Sequence, residues 1–322
     1  MRKFIKLVIL FSTPFLIGII SLELVLRNIP NDYSFKRKHL DKKSNCIEVL
    51  FLGNSHFYYG INPVYMTSKS FNAAHISQSL NFDLAILEKY SDKWKDLQYI
   101  IIPIDYFSMY TTLENGIENW RVKNYNIYYD IYTYSSFWNN FEVANGKSLY
   151  NISRAKKYLY NQKSDITCNG FGFGTNYNSK DSQDLKETGK TAAKRHTVDI
   201  IDKITFYNNI QTIQSIIKFS KKQSVKLIFV TCPAYSTYRE NLNYSQLNNT
   251  RSIIKQLSAS NKNVYYYNLL TDTAFVSTDY YDADHLNNIG AKKLTLKIDS
   301  IINTIKSTNS QQGFAKKTGV VL

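Results

Sequence analysis

Two short stretches of the chain hold residue types that could do acyl chemistry. The first is Gly53-Asn54-Ser55-His56, which follows directly on the apolar run "CIEVLFL" (46–52). A serine hydroxyl is a poor nucleophile at neutral pH and needs a base within hydrogen-bond reach, with a third group to orient that base. The second stretch, "YYDADHLNNIGAKKLT", offers both types, since Asp282 and His285 stand three apart just before a predicted helix. On a turn, that spacing can set a carboxylate against one ring nitrogen. The acid then fixes the tautomer and stabilises the imidazolium, while the other nitrogen faces the serine. If a helix opens at or just after Ser55, its free N–H groups point at whatever the hydroxyl attacks, and Gly53 lets the turn tighten. Taken alone, strand-Gly-x-Ser also reads as a turn in which Ser55 only caps the helix.

The neighbouring polar residues carry plainer expectations. His56 should leave the turn in another direction than Ser55, as a pocket wall or hydrogen-bonding residue. Asp284 reads as solvated or as the cap of the next helix. Asp282, Asp284, His285 and His56 are metal-ligand types, but no spacing among them demands an ion, so no metal is expected. His75 and His196 read as surface or pocket residues, and Arg195 beside His196 could bind an anionic group. Tyr235 and Tyr238 follow "FVTCP" at the carboxyl end of a predicted strand, where α/β sheets bind ligands, and suit sugar stacking and packing equally. Three cysteines, Cys46, Cys168 and Cys232, form an odd set without C-x-x-C spacing, which points to neither a disulfide framework nor a zinc site.

The elements that must position these residues follow from periodicity. Apolar runs at 46–52, 69–74, 97–104, 225–231 and 264–270 read as strands buried on both faces. Between them, 79–94, 206–223, 245–260 and 288–305 repeat apolar residues at three- and four-residue spacings. Strand alternating with helix predicts an α/β domain with a mostly parallel five-stranded sheet over 46–305. The interval 105–205, rich in Tyr, Asn and Trp and containing "CNGFGFGTNY" (168–177), breaks the rhythm and reads as a loop-rich insertion, either shaping a substrate site or running over the surface. The tail 306–322 reads as loose.

At the other end, "LVILFSTPFLIGIISLELVL" follows Arg2, Lys3 and Lys6 and is long enough to cross a bilayer. With no A-x-A-like cleavage site, residues 1–27 are expected to be an uncleaved transmembrane anchor. The polar stretch 28–45 then reads as a juxtamembrane tether. Cations after the span outnumber those before it, so charge alone would leave the bulk of the chain inside. The formal charge of +15 is spread along 322 residues, without a zinc-finger or RRM-type pattern, so nucleic acid is not expected as a partner.

Gly53-Asn54-Ser55 after the first strand and Asp282-x-x-His285 before the last helix resemble the SGNH (GDSL-type) hydrolase superfamily. With "SFNAAHISQSLNFDLAILEKY" and "IFVTCPAY" added, the chain is similar to membrane-anchored bacterial SGNH-like proteins that modify cell-envelope polysaccharides. The resemblance covers most of 46–305 in order. It implies a three-layer α/β/α flavodoxin-like domain with Ser55 as nucleophile, His285 as base and Asp282 as orienting acid. The family's oxyanion hole uses the nucleophile's N–H, a Gly after the second strand and an Asn after the third. Here Ser77 stands at the Gly position, and "IIIPIDYFS" lacks G-x-N-D, leaving Asn72, Asn54 or His56 as nearby polar candidates. The implied activity is a cofactor-free serine esterase or O-acyltransferase, carrying acetyl on an extracytoplasmic polysaccharide. The alternative is a non-catalytic SGNH-like assembly protein that partners a membrane acyltransferase.

Overall fold

The computed structural model describes residues 1–133, 136–144, 148–198 and 201–318, with side chains to residue 308. Its helices are α1 (Arg2–Asn28), α2 (Asp32–Lys43), α3 (Ser55–Gly60), α4 (Leu80–Lys89), α5 (Val122–Asn124), α6 (Ser148–Asn161), α7 (Leu185–His196), α8 (Lys203–Lys222), α9 (Ser236–Arg239), α10 (Tyr244–Ala259) and α11 (Asn288–Thr318). The strands are β1 (Val49–Phe51), β2 (Ser70–Asn72), β3 (Tyr99–Pro103), β4 (Lys226–Thr231) and β5 (Val264–Asn268). Two compact units emerge, one of residues 1–43 and 112–167, the other of residues 44–111 and 168–322.

The second unit carries the sheet, in the order β2-β1-β3-β4-β5 with every pairing parallel. All residues of β1 and β3 are buried. Successive side chains point to opposite faces, so both faces are covered, as the unbroken Val, Leu and Ile runs require. Parallel neighbours cannot be joined by hairpins, and the crossovers supply helices, of which α4 packs with α8; α11, after the last strand, packs with α3. Fold and sheet are those the resemblance implied. The strand order reverses direction between β1 and β3, and in such sheets ligands bind outside the carboxyl ends at that switch point. Gly53-Asn54-Ser55 leaves the end of β1 there, and Asp105 leaves the end of β3.

The turn after β1 is built for glycine. Gly53 has φ +107°, and a Cβ on it would lie 2.3 Å from Pro103 Cδ, the last residue of β3. Its N–H donates to Asp83 Oδ1 at 2.8 Å and its carbonyl accepts from the His75 N–H at 3.0 Å, so the turn is pinned from both sides.

The first unit departs from expectation. Residues 32–43 form α2, where a tether was expected, with Tyr33, Lys36 and Leu40 buried. Tyr33 meets Tyr125 and Tyr129 edge-on at 5.3 and 6.5 Å. The helix hides its period because a tyrosine and a lysine stem do the packing that aliphatic residues usually do. The expected insertion 105–205 is divided, since 112–167 joins the N-terminal residues while 168 onward belongs with the sheet. At the C-terminus α11 continues to Thr318, in place of a loose tail from 306. Helix α1 is 27 residues long with a window of mean hydropathy 2.2 and none of that window buried, which suffices by length and composition to cross a membrane; a signal sequence would have the same properties.

Candidate active site

Ser55 is the first residue of α3 and does not cap it. Asn54, with φ −90° and ψ −161°, is the N-cap, and its Oδ1 accepts the His56 N–H at 2.9 Å. The serine hydroxyl is therefore free for another partner, and Ser55 Oγ lies 2.8 Å from His285 Nε2. On the far side of the ring, His285 Nδ1 is 3.0 and 3.1 Å from the two oxygens of Asp282. Asp282 Oδ1 also accepts the backbone N–H groups of Asp284 and His285, at 3.1 and 2.8 Å, which fixes the carboxylate under the imidazole. A carboxylate facing Nδ1 places the proton there, so Nε2 accepts from the serine. The structure thus brings together the three residues read from the sequence across 230 positions.

Asp284 corrects the expectation of a solvated or capping residue. It is buried, and α11 is capped by Asn287, whose Oδ1 accepts the N–H groups of Ile289 and Gly290. Asp284 instead sits among basic side chains. Its Oδ1 is 3.5 Å from His285 Nδ1, and its Oδ2 is 3.6 Å from His56 Nε2, 3.8 Å from His196 Nδ1 and 3.7 Å from the Arg195 guanidinium. His56 continues the row: its Nδ1 is 2.9 Å from Asp105 Oδ1, and Asp105 Oδ2 accepts from Asn54 Nδ2 at 2.8 Å. The rings of His56 and His285 meet edge-on at 4.8 Å.

These contacts set the charges. For His285, burial opposes the imidazolium, but Asp284 and Asp282 outweigh it and hold the pKa well above the ordinary histidine value. For His56, burial is again overcome, by Asp105 and Asp284, and the pKa rises to about 9. His196 goes the other way: burial outweighs Asp284 and lowers it to about 3, so it is neutral, with Nδ1 2.9 Å from the Tyr238 hydroxyl. Asp284 is held well below the carboxylate range, the cost of its burial outweighed chiefly by His285 and His56. Asp105 is held low in the same way, chiefly by His56. Asp105 is the residue that sequence reasoning missed. Its signal was a charged side chain immediately past "YIIIPI", at the carboxyl end of a buried strand.

Two ligand sets lie within 4.8 Å, His56 with Asp105 and Cys232, and His56 with Asp284 and His285. The flanking carboxylates favour the imidazolium form of His56, and burial pushes the Cys232 thiol up, so either set would have to release protons for an ion to bind.

Of the oxyanion candidates, Asn72 is corrected outright. It is fully buried, with both amide hydrogens given to the carbonyls of Phe57 (2.7 Å) and Ile61 (2.8 Å) and its Oδ1 accepting the Ala74 N–H. Asn72 ties α3 to β2 and donates nowhere else. Asn54 is held by its cap and by Asp105, and His56 by its carboxylates. Ser77 has φ +58°, the left-handed conformation that a glycine adopts without strain. Among the described residues no acceptor takes the Ser55 N–H, as befits the first turn of a helix.

The loop 168–177 walls the site. Gly174 presses so closely on Tyr58 that a Cβ would lie 2.1 Å from its ring, and its N–H donates to the Tyr58 carbonyl at 2.8 Å. Tyr177 is stacked between Tyr59 (3.6 Å) and Tyr281 (3.8 Å) and meets the His285 ring edge-on at 5.4 Å. Tyr238 is buried, and Tyr235 packs edge-on against Tyr280 at 5.6 Å, so both serve packing. His75 is buried as well, and Arg195 faces Asp284.

No protein-family model and no curated protein matches the chain by sequence. Among solved structures it is similar to a GDSL-like lipase from Bacteroides thetaiotaomicron VPI-5482, at 11% identity over 84% of this chain and 99% of that one, with a TM-score of 0.40. A proposed acylhydrolase from Bacteroides fragilis NCTC 9343 gives 11% identity, coverage of 83% and 95%, and a TM-score of 0.40. A proposed platelet activating factor from Streptococcus pneumonia gives 11%, coverage of 89% and 97%, and 0.39. Likeness at this level carries no functional argument. The side chains at the carboxyl end of β1 carry it.

Proposed function

We propose that the chain is an SGNH-type serine hydrolase of ester bonds. Its reaction is removal or transfer of an acyl group, acetyl in the first place, on a cell-envelope polysaccharide. The observation behind this reading is the relay from Ser55 Oγ through His285 to Asp282, at 2.8 and 3.0 Å. His285 Nε2 takes the hydroxyl proton as Oγ bonds to the ester carbonyl carbon, and the oxyanion forms beside the Ser55 N–H and the Ser77 backbone. His285 then returns the proton to the departing alkoxide, leaving an acyl-serine. Water, deprotonated in turn by His285, gives an esterase, and a sugar hydroxyl gives a transferase. No metal or organic cofactor is needed for these steps. In this reading α1 anchors the protein in a membrane with the catalytic unit on the extracytoplasmic side, next to its polymer and to any acyltransferase that supplies the acyl group.

A fluorophosphonate probe tests the nucleophile. Wild type should label and Ser55→Ala should not; equal labelling of the two, or none of either, sinks the proposal. Acetate release from acetylated polysaccharides, with and without Ser55, then reads the substrate. The non-catalytic alternative has one observation in its favour: the third-strand amide of the family is absent, and the nearby Asn72 and Asn54 amides are committed elsewhere. A wild-type protein that binds polymer but never labels would favour it.

A further inference from the structure

Helix α6 is amphipathic the wrong way round for water. Its inward side carries Asn151, Arg154 and Ala155, of which Asn151 and Ala155 are buried. Outward it shows Leu149 (82% exposed), Ile152 (40%), Leu159 (62%) and Tyr160 (83%). At 100° per residue these four fall within an arc of about 100°, shared with the exposed Lys156. A helix on a water-facing surface turns such a stripe inward, so this one needs an apolar or interfacial medium outside it.

The place of α6 says which medium. It packs on the last turns of α1 in a cluster of Leu26, Ile29 and Ala155, joined by Leu22, Val25, Val143 and Tyr158. Glu23 fixes that level, accepting the N–H groups of Glu142 (3.1 Å) and Val143 (2.9 Å) and pairing with Arg27 at 2.6 Å. From Phe4 to Leu22 the apolar part of α1 spans about 28 Å at 1.5 Å per residue. That length matches a hydrocarbon core of about 30 Å, which sets Glu23 and the α6 contact at its edge. Phe137 and Trp138, 65% and 62% exposed, belong to a turn that Arg27 holds through the Asn140 carbonyl. Aromatic rings are enriched at that depth. Lys156 lies within the apolar arc and Lys157 flanks it, both exposed, and their long stems let the ammonium groups reach an anionic head-group layer while the apolar residues sit deeper.

We propose that α6 is an interfacial helix, its Leu149–Ile152–Leu159–Tyr160 stripe lying in the head-group layer of an anionic bilayer at the C-terminal end of α1. The inference rests on α1 being a membrane anchor and is independent of the serine chemistry. Lipid contact over a second helix fixes the first unit against the surface, where α1 alone would leave it free to swing.

The test uses full-length protein reconstituted in phosphatidylcholine–phosphatidylglycerol vesicles, with single tryptophans introduced at exposed positions as Leu149→Trp or Tyr160→Trp. Tyr244→Trp, exposed on α10, is the control. Lipids brominated near the head of the acyl chain should quench the emission added by Leu149→Trp and Tyr160→Trp, over that of the native tryptophans, by about twofold and leave the emission added by Tyr244→Trp unquenched. Protein that resists alkaline carbonate extraction but shows no quenching at 149 or 160 overturns the interfacial helix while the anchor stands. Protein released by carbonate overturns both. Fluorophosphonate labelling of the same samples reports the catalytic reading separately.

Discussion

Asp284→Asn isolates the electrostatics of the base. The substitution keeps shape and removes a negative charge 3.5 Å from His285 Nδ1. With an effective dielectric constant of about 20, a charge pair at that distance is worth about 5 kcal/mol, an upper bound that surrounding charges reduce. Opposite charges this close typically move a pKa by about 1–3 units. The groups facing His285 are Asp282, Asp284 and His56, with Ser55 at Nε2 and the Tyr59 and Tyr177 rings edge-on. Asp282 stays in place, so tautomer and orientation persist. In the wild type Asp284 and Asp282 hold the pKa of His285 above the ordinary histidine value, so kcat/KM toward a small ester rises with pH as the ring deprotonates. In Asp284→Asn that acid limb should move about 1–3 pH units lower. On the acid side of the limb the rate then climbs by about tenfold for each pH unit the limb moves, relative to the variant's own plateau. The assay is hydrolysis of p-nitrophenyl acetate from pH 5 to 10, with fluorophosphonate labelling as an independent reading of the same base. A limb that stays put, or moves to higher pH, would refute the account of Asp284 as the charge that tunes His285.

Three further outcomes follow from the same geometry. Asp282→Asn should lower the plateau of kcat by about two to three orders of magnitude, less than the roughly 10⁴ expected for a lone triad acid, because Asp284 still faces Nδ1. Asn72→Ala should cost about 1–3 kcal/mol in urea unfolding, by leaving the Ile61 carbonyl without a donor and the Phe57 carbonyl with only the Ile61 N–H, while fluorophosphonate labelling of the folded fraction is unchanged; a loss of about 10² or more in labelling rate would make Asn72 an oxyanion donor after all. His56, raised to about 9 from an unfolded value near 6.5, contributes about 3 kcal/mol of stability that is fully present below pH 6.5 and lost as pH rises through 9. Unfolding free energies at pH 6, 7.5 and 9.5 should show that fall, and His56→Gln should remove most of it.

Much of the fold was legible because a buried parallel sheet writes itself as unbroken apolar runs, and all five strands lie within the runs at 46–52, 69–74, 97–104, 225–231 and 264–270. The pairing of Ser55 with Asp282 and His285 was legible for a different reason: an acid and a histidine three apart before a helix supply what a serine needs, and with Gly53-Asn54-Ser55 they resemble a known hydrolase pattern. Helix α2 was illegible because Tyr33 and Lys36 pack through rings and methylenes that a hydropathy pattern scores as polar. The roles of Asn72 and Asn54 were illegible too. Whether an amide faces a substrate or a neighbouring carbonyl depends on contacts such as Asn72 to Ile61, which sequence adjacency does not reveal.

Asp105 and Asp284 show why the charged part of the site had to be seen in three dimensions. Each is almost wholly buried, and a buried carboxylate persists only where a cation meets it. His56 meets both, at 2.9 and 3.6 Å, and His285 meets Asp284 and Asp282. The row Asp105, His56, Asp284, His285, Asp282 therefore alternates in sign, with Arg195 at its flank. Removing any member strands its neighbours, so each side chain fixes the position and charge of the next. A catalytic histidine in such a row has its base strength set by residues that never touch the serine. That is the physical reason for the acid limb to respond to Asp284, while the attack geometry depends on Asp282.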